Sequence, residues 1–334
     1  MPSTLRRVNW PLLLCVALAT AVLWRLDGSV YLFVSTNLAN TRFVPDPWTG
    51  YRLRERASSE FNNGINSEIN SEGLRNPPVT AREPGELRVF FAGSSVTCAM
   101  DTPRQDNFCG QVETLLRQRL KRPVTTINGG VDGYTMLHKR LLLQALWPRY
   151  RPDIVVVTLT LDEATATYYL PPDPESEWRL RIHAFAQHSH ILQYAMLSLH
   201  NAEGFGNWPP EVPVGRALPG PALDANFNSF YDFSRQNHVP VLFVVLPYGK
   251  EAGHDWEKPL RRIMRENTDG RGNPAVWVEE APAWQALKRH GFANDDLHLR
   301  ESGHTVVANL LGEELVRRDW AMPEGPPRWS PNNP

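Results

Sequence analysis

The stretch Pro152-Asp153-Ile154-Val155-Val156-Val157-Thr158-Leu159-Thr160-Leu161 decides the fold class. From Ile154 to Leu161 the run is apolar apart from two threonines, with no polar alternation. A strand with one solvated face alternates apolar and polar side chains, so an unbroken run of this kind reads as a strand buried on both faces. A sheet covered on both faces implies helices packed above and below it.

The flanking sequence repeats the pattern. Leu87 to Ala92 is a short apolar run ending at Gly93, Val124 to Ile127 is ended by Asn128-Gly129-Gly130, and Val239 to Leu246 is ended by Pro247. Ala275 to Val278 is a weaker fifth strand. Phe108 to Leu120 carries apolar residues at spacings of three and four, as an amphipathic helix does. Leu137 to Trp147 and Gly303 to Val316 also read as helices. Strands alternating with helices predict an α/β fold, a three-layer sandwich around a parallel, flavodoxin-like five-stranded sheet. In such sheets the functional site lies at the carboxyl ends of the strands.

The chain has 334 residues, 42% of them hydrophobic, enough for one large core without metals or cystines. Lys and Arg number 35 against 36 Asp and Glu, a formal charge of -1, so no basic excess exists to neutralise a phosphate backbone. Nucleic acid is excluded as a partner on that ground.

Arg6 and Arg7 precede an apolar run from Trp10 to Trp24, a targeting pattern that keeps the basic residues in the cytoplasm and sends the rest of the chain across the membrane. Residues 1–34 are therefore expected to be a signal anchor or transmembrane segment. Cleavage is the alternative, but the A-x-A at Ala17-Leu18-Ala19 falls within the apolar run rather than after it, which favours an uncleaved anchor. Residues 35–86, rich in Asn, Pro, Ser and Arg, read as an extracytoplasmic connector with no core of its own. The main domain is expected over 87–320, with insertions at about 167–221 and a flexible tail over 321–334. The insertions, Thr167 to Glu177 and Gly204 to Pro221, flank a predicted helix from Trp178 to His200 and are placed to rim the site. Export would expose Cys98 and Cys109 to oxidising conditions, where they form either a disulfide or two buried thiols.

Three turns carry residues suited to chemistry. Gly93-Ser94-Ser95-Val96 places a hydroxyl where a strand ends and a helix begins, a position that favours anions. Asn128-Gly129-Gly130-Val131-Asp132-Gly133-Tyr134-Thr135 lets backbone approach a ligand closely. Asp295-Asp296-Leu297-His298 spaces a carboxylate three residues before a histidine, where it can accept the Nδ1 proton and leave Nε2 to face a serine. His183, His188 and His190 do not make a metal site, because His188 and His190 are two apart on a helix and point to different sides. Tyr168, Tyr169 and Trp208 are aromatic enough to stack on sugar rings, but loop packing is the favoured reading. No cofactor is expected.

Together these blocks resemble the SGNH, or GDSL, hydrolase family over about residues 87 to 316. Gly93-Ser94-Ser95 stands where that family has G-D-S, and Asn128, Gly130, Gly133 and Thr135 match its second block. Asp295 and His298 match its D-x-x-H. Ser71-Glu72-Gly73-Leu74-Arg75 is similar to stretches preceding the domain in membrane-anchored bacterial members.

The resemblance implies Ser95 as nucleophile, His298 as base and Asp295 as its orienting partner, with the backbone N–H groups of Ser95 and Gly130 as oxyanion donors. It implies an exported esterase or O-acyltransferase, periplasmic or outside the cell. Its substrate would be an acyl ester, including acylated carbohydrate of the envelope. One block departs: Thr160-Leu161-Asp162-Glu163 stands where the family has G-x-N-D, so Asp162 occupies the position of the third oxyanion donor. An ionised carboxylate accepts and cannot donate. Either Asp162 is protonated, or Thr160 or Thr165 substitutes, or the chain is a weak or inactive binding module of the envelope that keeps the fold. A purely structural anchor protein would lack contact between Ser95 and His298.

Overall fold

In the computed structural model the described residues are 10–37, 43–46, 49–55, 68–160, 220–246, 262, 275–278, 281–282, 284–293 and 297–318. Five strands form one parallel sheet: β3 (Leu87–Gly93), β4 (Val124–Gly130), β5 (Ile154–Leu159), β6 (Val241–Val245) and β7 (Ala275–Trp277), in the order β4-β3-β5-β6-β7. β3 pairs with β4 on one side and β5 on the other, with Gly93 opposite Gly130 and Ala92 opposite Val157. The chain thus steps outward from β3 to the edge strand β4, then crosses back over β3 to reach β5. That reversal opens a crevice at the carboxyl end of β3.

The strands alternate their side chains between two cores. Phe90, Ala92, Val155, Val157, Phe243 and Val245 lie in one cluster. They pack there with Leu142 and Leu143 of α4 (Met136–Tyr150) and with Phe227, Phe230 and Tyr231 of α5 (Gly220–Asn237). Val89, Phe91, Ile154, Val156, Leu242 and Val244 face the opposite cluster. There they meet Phe108, Val112 and Leu116 of α3 (Phe108–Leu120), Leu287 of α6 (Trp284–His290), and Val307, Leu311 and Leu315 of α7 (Glu301–Arg317). The three-layer sandwich is therefore observed, and the continuous apolar runs reflect it, since both faces of each strand are dry. Of the apolar run Ile154 to Leu161, the six strand residues Ile154–Leu159 are all buried. Helices α5 and α6 were not anticipated from sequence. The predicted helix 178–200, the insertion at 167–177 with most of that at 204–221, His183, His188, His190, Tyr168, Tyr169, Trp208 and the tail lie outside the described residues; Gly220 and Pro221 open α5.

The segment before Leu87 is more than a connector. Strands β1 (Phe43–Asp46) and β2 (Gly50–Leu53) pair as an antiparallel hairpin, and Leu53, Ile69 and Leu74 are buried in the same cluster as α4 and α5. Tyr134 at the end of the β4 turn donates to Thr49 Oγ1 at 2.8 Å, which fastens the hairpin to the domain. Asn76 covers the outer edge of β4: its Nδ2 donates to the Thr126 carbonyl at 2.7 Å, and its Oδ1 accepts from Asn128 N at 2.6 Å. A side-chain amide here does what a further strand would do, satisfying an edge that otherwise invites pairing. The expectation of a coreless stretch over 35–86 fails because Leu53, Ile69, Leu74 and Asn76 make these contacts singly and leave no periodic signal.

Helix α1 (Trp10–Asn37) runs 28 residues, through Arg25 and Asp27. Leu14, Val16, Leu18, Val22, Leu23, Trp24 and Leu26 on it are all exposed. Among the described residues no helix is long and apolar enough to cross a membrane.

Candidate active site

Strand β3 delivers the chain to the crevice at Gly93, and Ser94 breaks it there with an extended backbone before the single turn α2 (Ser95–Cys98). Two hydroxyl pairs hold this turn against β5. Ser94 Oγ lies 3.1 Å from Thr160 Oγ1, and Thr97 Oγ1 lies 2.5 Å from Thr158 Oγ1. Gly93 is needed for space, since a Cβ there would fall 1.9 Å from Thr97 Oγ1. All four hydroxyl residues are buried, so these pairs fix the turn without competition from water.

From the other side, α2 sits on β4. Asn128 Nδ2 donates to the Thr97 carbonyl at 2.8 Å, and Val131 N donates to the Gly93 carbonyl at 3.2 Å. A Cβ on Gly130 would fall 2.3 Å from Cys98 N and 2.7 Å from the Thr97 carbonyl carbon. Gly130 is thus a contact point for the backbone of α2. Its N–H donates to Asn128 Oδ1 at 2.9 Å, at the carboxyl end of β4.

His298 reaches the same crevice from a loop closed on itself. Phe292 and Leu299 form an antiparallel bridge, Ala293 N donates to the His298 carbonyl at 2.7 Å, and Arg300 N donates to the Gly291 carbonyl at 2.8 Å. Phe292 and Leu299 are buried in the α3–α7 core, so the loop is anchored by its apolar neighbours while His298 stays partly exposed. His298 Nε2 lies 2.9 Å from Ser95 Oγ, across 203 positions of sequence. That is hydrogen-bonding distance for a base taking a hydroxyl proton, in the tautomer that leaves Nε2 unprotonated. The purely structural reading, which required no such contact, fails on it. Asp295, Asp162, Glu163 and Thr165 lie outside the described residues.

Two residues of the site were given no role from sequence. Arg75, from the upstream segment, is fully buried behind α2. Its guanidinium donates to the Cys98 carbonyl at 2.7 Å and also to the carbonyls of Ala99 and Thr102. Ala99, which ends α2, has φ 49 and ψ 53. A left-handed alanine costs roughly 1–2 kcal/mol because its Cβ crowds the following carbonyl. His304, one residue after Gly303 at the start of α7, packs on the Phe108 ring. Burial, reinforced by the charges of Arg75 and His298, lowers its pKa to about 3, so it stays neutral.

Cys98 and Cys109 are both buried thiols, not a cystine. Of the two readings left open by sequence, the disulfide is the one the structure corrects. Cys98 packs in the α4–α5 core and Cys109 in the α3–α7 core. Burial pushes the Cys109 thiol well above its usual pKa. Among the described residues no group of three or more His, Cys, Asp or Glu side chains is placed to hold a metal ion.

No protein-family model matches the chain, and no curated protein matches it. Solved structures do. TesA is similar at 12% identity with a TM-score of 0.45, covering 68% of this chain and 97% of its own. A lipase/acylhydrolase from Enterococcus faecalis is similar at 13% identity with a TM-score of 0.45, covering 70% and 96%. A two-domain esterase active on acetylated mannans is similar at 17% identity with a TM-score of 0.44, covering 75% of this chain and 54% of its own. The fold class, a parallel α/β sandwich, stands on the strand order and the two cores described above.

Proposed function

We propose that this chain is an exported serine esterase or O-acyltransferase acting on acyl esters, acylated carbohydrate of the cell envelope among them. The 2.9 Å approach of His298 Nε2 to Ser95 Oγ carries the reading, because it joins a nucleophile at a strand end to a base on a separately anchored loop.

In the proposed reaction His298 Nε2 takes the Ser95 hydroxyl proton as Oγ bonds to the ester carbonyl carbon. The carbonyl oxygen takes the negative charge. The Ser95 backbone N–H opens α2 and has no acceptor within the helix, so it faces that oxygen as a donor. The C–O bond to the alcohol then breaks, and His298 returns its proton to the leaving oxygen. Water or a sugar hydroxyl next attacks the acyl-serine, giving hydrolysis or transfer. Asp295 is proposed to accept from His298 Nδ1, and Asp162 to act as third donor in its protonated form. Helix α1 is proposed to seat its exposed apolar side chains in the inner membrane, with the domain outside the cytoplasm.

Labelling by a fluorophosphonate tests the nucleophile. The wild-type chain should label, and Ser95→Ala and His298→Ala should not. Absence of Ser95-dependent labelling across neutral pH sinks the reading and leaves the envelope binding module, which the Asp162 substitution favours. Asp162→Asn discriminates further: activity rises if Asp162 is an ionised defect, whereas a protonated donor gives a wild-type activity that falls with rising pH and a variant without that fall.

A further inference from the structure

We propose that Arg75 is a positioning residue for the nucleophile. By gripping the carbonyl oxygens of Cys98, Ala99 and Thr102 it holds the strained end of α2 so that Ser95 Oγ meets His298 Nε2. This rests on the reading of Ser95 as nucleophile.

A one-turn helix has little stability of its own, so whatever fixes its two ends decides where Ser95 stands. Its first end is held to β5 by the Ser94–Thr160 and Thr97–Thr158 hydroxyl pairs. Its last end turns on Ala99, whose N–H donates to the Ser95 carbonyl at 2.8 Å and closes the turn that Ser95 opens. Movement at Ala99 is therefore transmitted directly to the nucleophile. Ala99 lies in the left-handed region at φ 49, where alanine does not rest unaided. Such a conformation persists only where its surroundings impose it, and the Ala99 carbonyl is held by two donors, the Arg75 guanidinium and the Thr102 N–H at 3.1 Å, while Arg75 also grips the carbonyl of Thr102 itself.

The grip has a firm base. Arg75 N donates to the Asn128 carbonyl at 3.2 Å, and Asn76 beside it pairs with the Thr126 carbonyl and the Asn128 N–H of the same strand. The guanidinium is a planar fork on a backbone tied to the sheet edge, and it places two nitrogens on three carbonyls of one loop. A lysine has one nitrogen and no fork, so it cannot reproduce this.

The test compares the full wild-type chain with Arg75→Met, Arg75→Lys and the double variant Arg75→Met/Ala99→Gly. Two rates are read: fluorophosphonate labelling of Ser95, and alkylation of Cys98 and Cys109 resolved by peptide mass mapping. Arg75→Met should slow labelling by on the order of a hundredfold, the scale of a 1 Å misplacement. Cys98, on α2, should then alkylate at least about tenfold faster while Cys109 stays protected, because the opening is local. Ala99→Gly should restore part of the labelling, since glycine takes this conformation without strain.

Labelling of Arg75→Met within about twofold of wild type, less than any 1 Å misplacement would produce, overturns the proposal. So does a double variant no faster than Arg75→Met. If Arg75→Met exposes both thiols together it has unfolded, and Arg75→Lys decides: slowed labelling with Cys109 protected supports the proposal, and wild-type labelling or loss of fold overturns it. Should the wild-type chain fail to label at Ser95, the functional reading falls alone, and the selectivity of Cys98 over Cys109 still decides whether Arg75 holds α2.

Discussion

Gly130→Ala is the sharpest single perturbation of the site, because the new methyl meets backbone rather than side chain. The added Cβ would fall 2.3 Å from Cys98 N, 2.7 Å from the Thr97 carbonyl carbon and 2.8 Å from Cys98 Cα. Relief to an ordinary contact of about 3.5 Å requires about 1 Å of separation between α2 and β4. β4 cannot easily recede, since Gly130 is in register with Gly93 and Asn128 is tied to Asn76. The movement therefore falls on α2, and Ser95 goes with it. His298 does not follow, because its loop is anchored in the α3–α7 core, so the 2.9 Å contact opens. The expected loss in kcat/KM toward p-nitrophenyl acetate is on the order of a hundredfold. Overpacking should also lower stability by about 1–3 kcal/mol, read by urea unfolding. Gly312→Ala is the control: its Cβ would meet only Leu115 Cδ1 at 3.4 Å and Cβ at 3.7 Å, and it lies within α7. That variant should keep full activity and gain about 0.5–1 kcal/mol from helix propensity. Gly130→Ala with kcat/KM within about threefold of wild type, far short of what a 1 Å displacement costs, would refute the reasoning.

His304 sets an acid limit on stability. Its pKa is lowered from 6.5 to about 3 in the folded chain, so between those values the unfolded chain binds a proton that the folded chain refuses. The stabilisation is complete above about pH 6.5 and is lost as pH falls toward 3, at most roughly 5 kcal/mol from this group. Urea unfolding at pH 7 and pH 4 should show a smaller acid loss in His304→Gln than in wild type; equal losses would contradict the assignment. Asn76→Ala strands the Thr126 carbonyl and the Asn128 N–H at a buried sheet edge. The expected cost is about 2–4 kcal/mol by urea unfolding. A loss below about 0.5 kcal/mol, the scale of an ordinary surface change, would show that the edge is satisfied otherwise.

The strands were legible because burial on both faces writes itself locally: Ile154 to Leu159 needs no partner's identity to be apolar throughout. Helix α3 was read to its observed ends, since Phe108, Val112 and Leu116 repeat at the helical period. The turns that end β3 and β4 were legible through their glycines and serines, and so was the spacing that presents His298. The Ser95–His298 contact was an expectation from resemblance, and it is present at 2.9 Å.

Local sequence could not show where a polar group from elsewhere would land. Arg75 and Asn76 look like surface residues of a linker, yet they act on backbone groups 23 to 52 positions away. Gly130 marks a close approach in either case, but only the folded chain shows that its methylene meets α2 and its N–H meets Asn128. Cys98 and Cys109 are eleven positions apart in sequence and belong to different cores, because α2 at the sheet's end sends Val96 into one core and Cys98 into the other. Sequence by itself thus determined which segments are strands, since periodicity records each residue's own burial, and which turns carry Ser95 and His298. Tertiary structure alone decided the strand order, the partners of Gly130 and the cysteines, and the place of Arg75, because those depend on distant groups brought together by the fold.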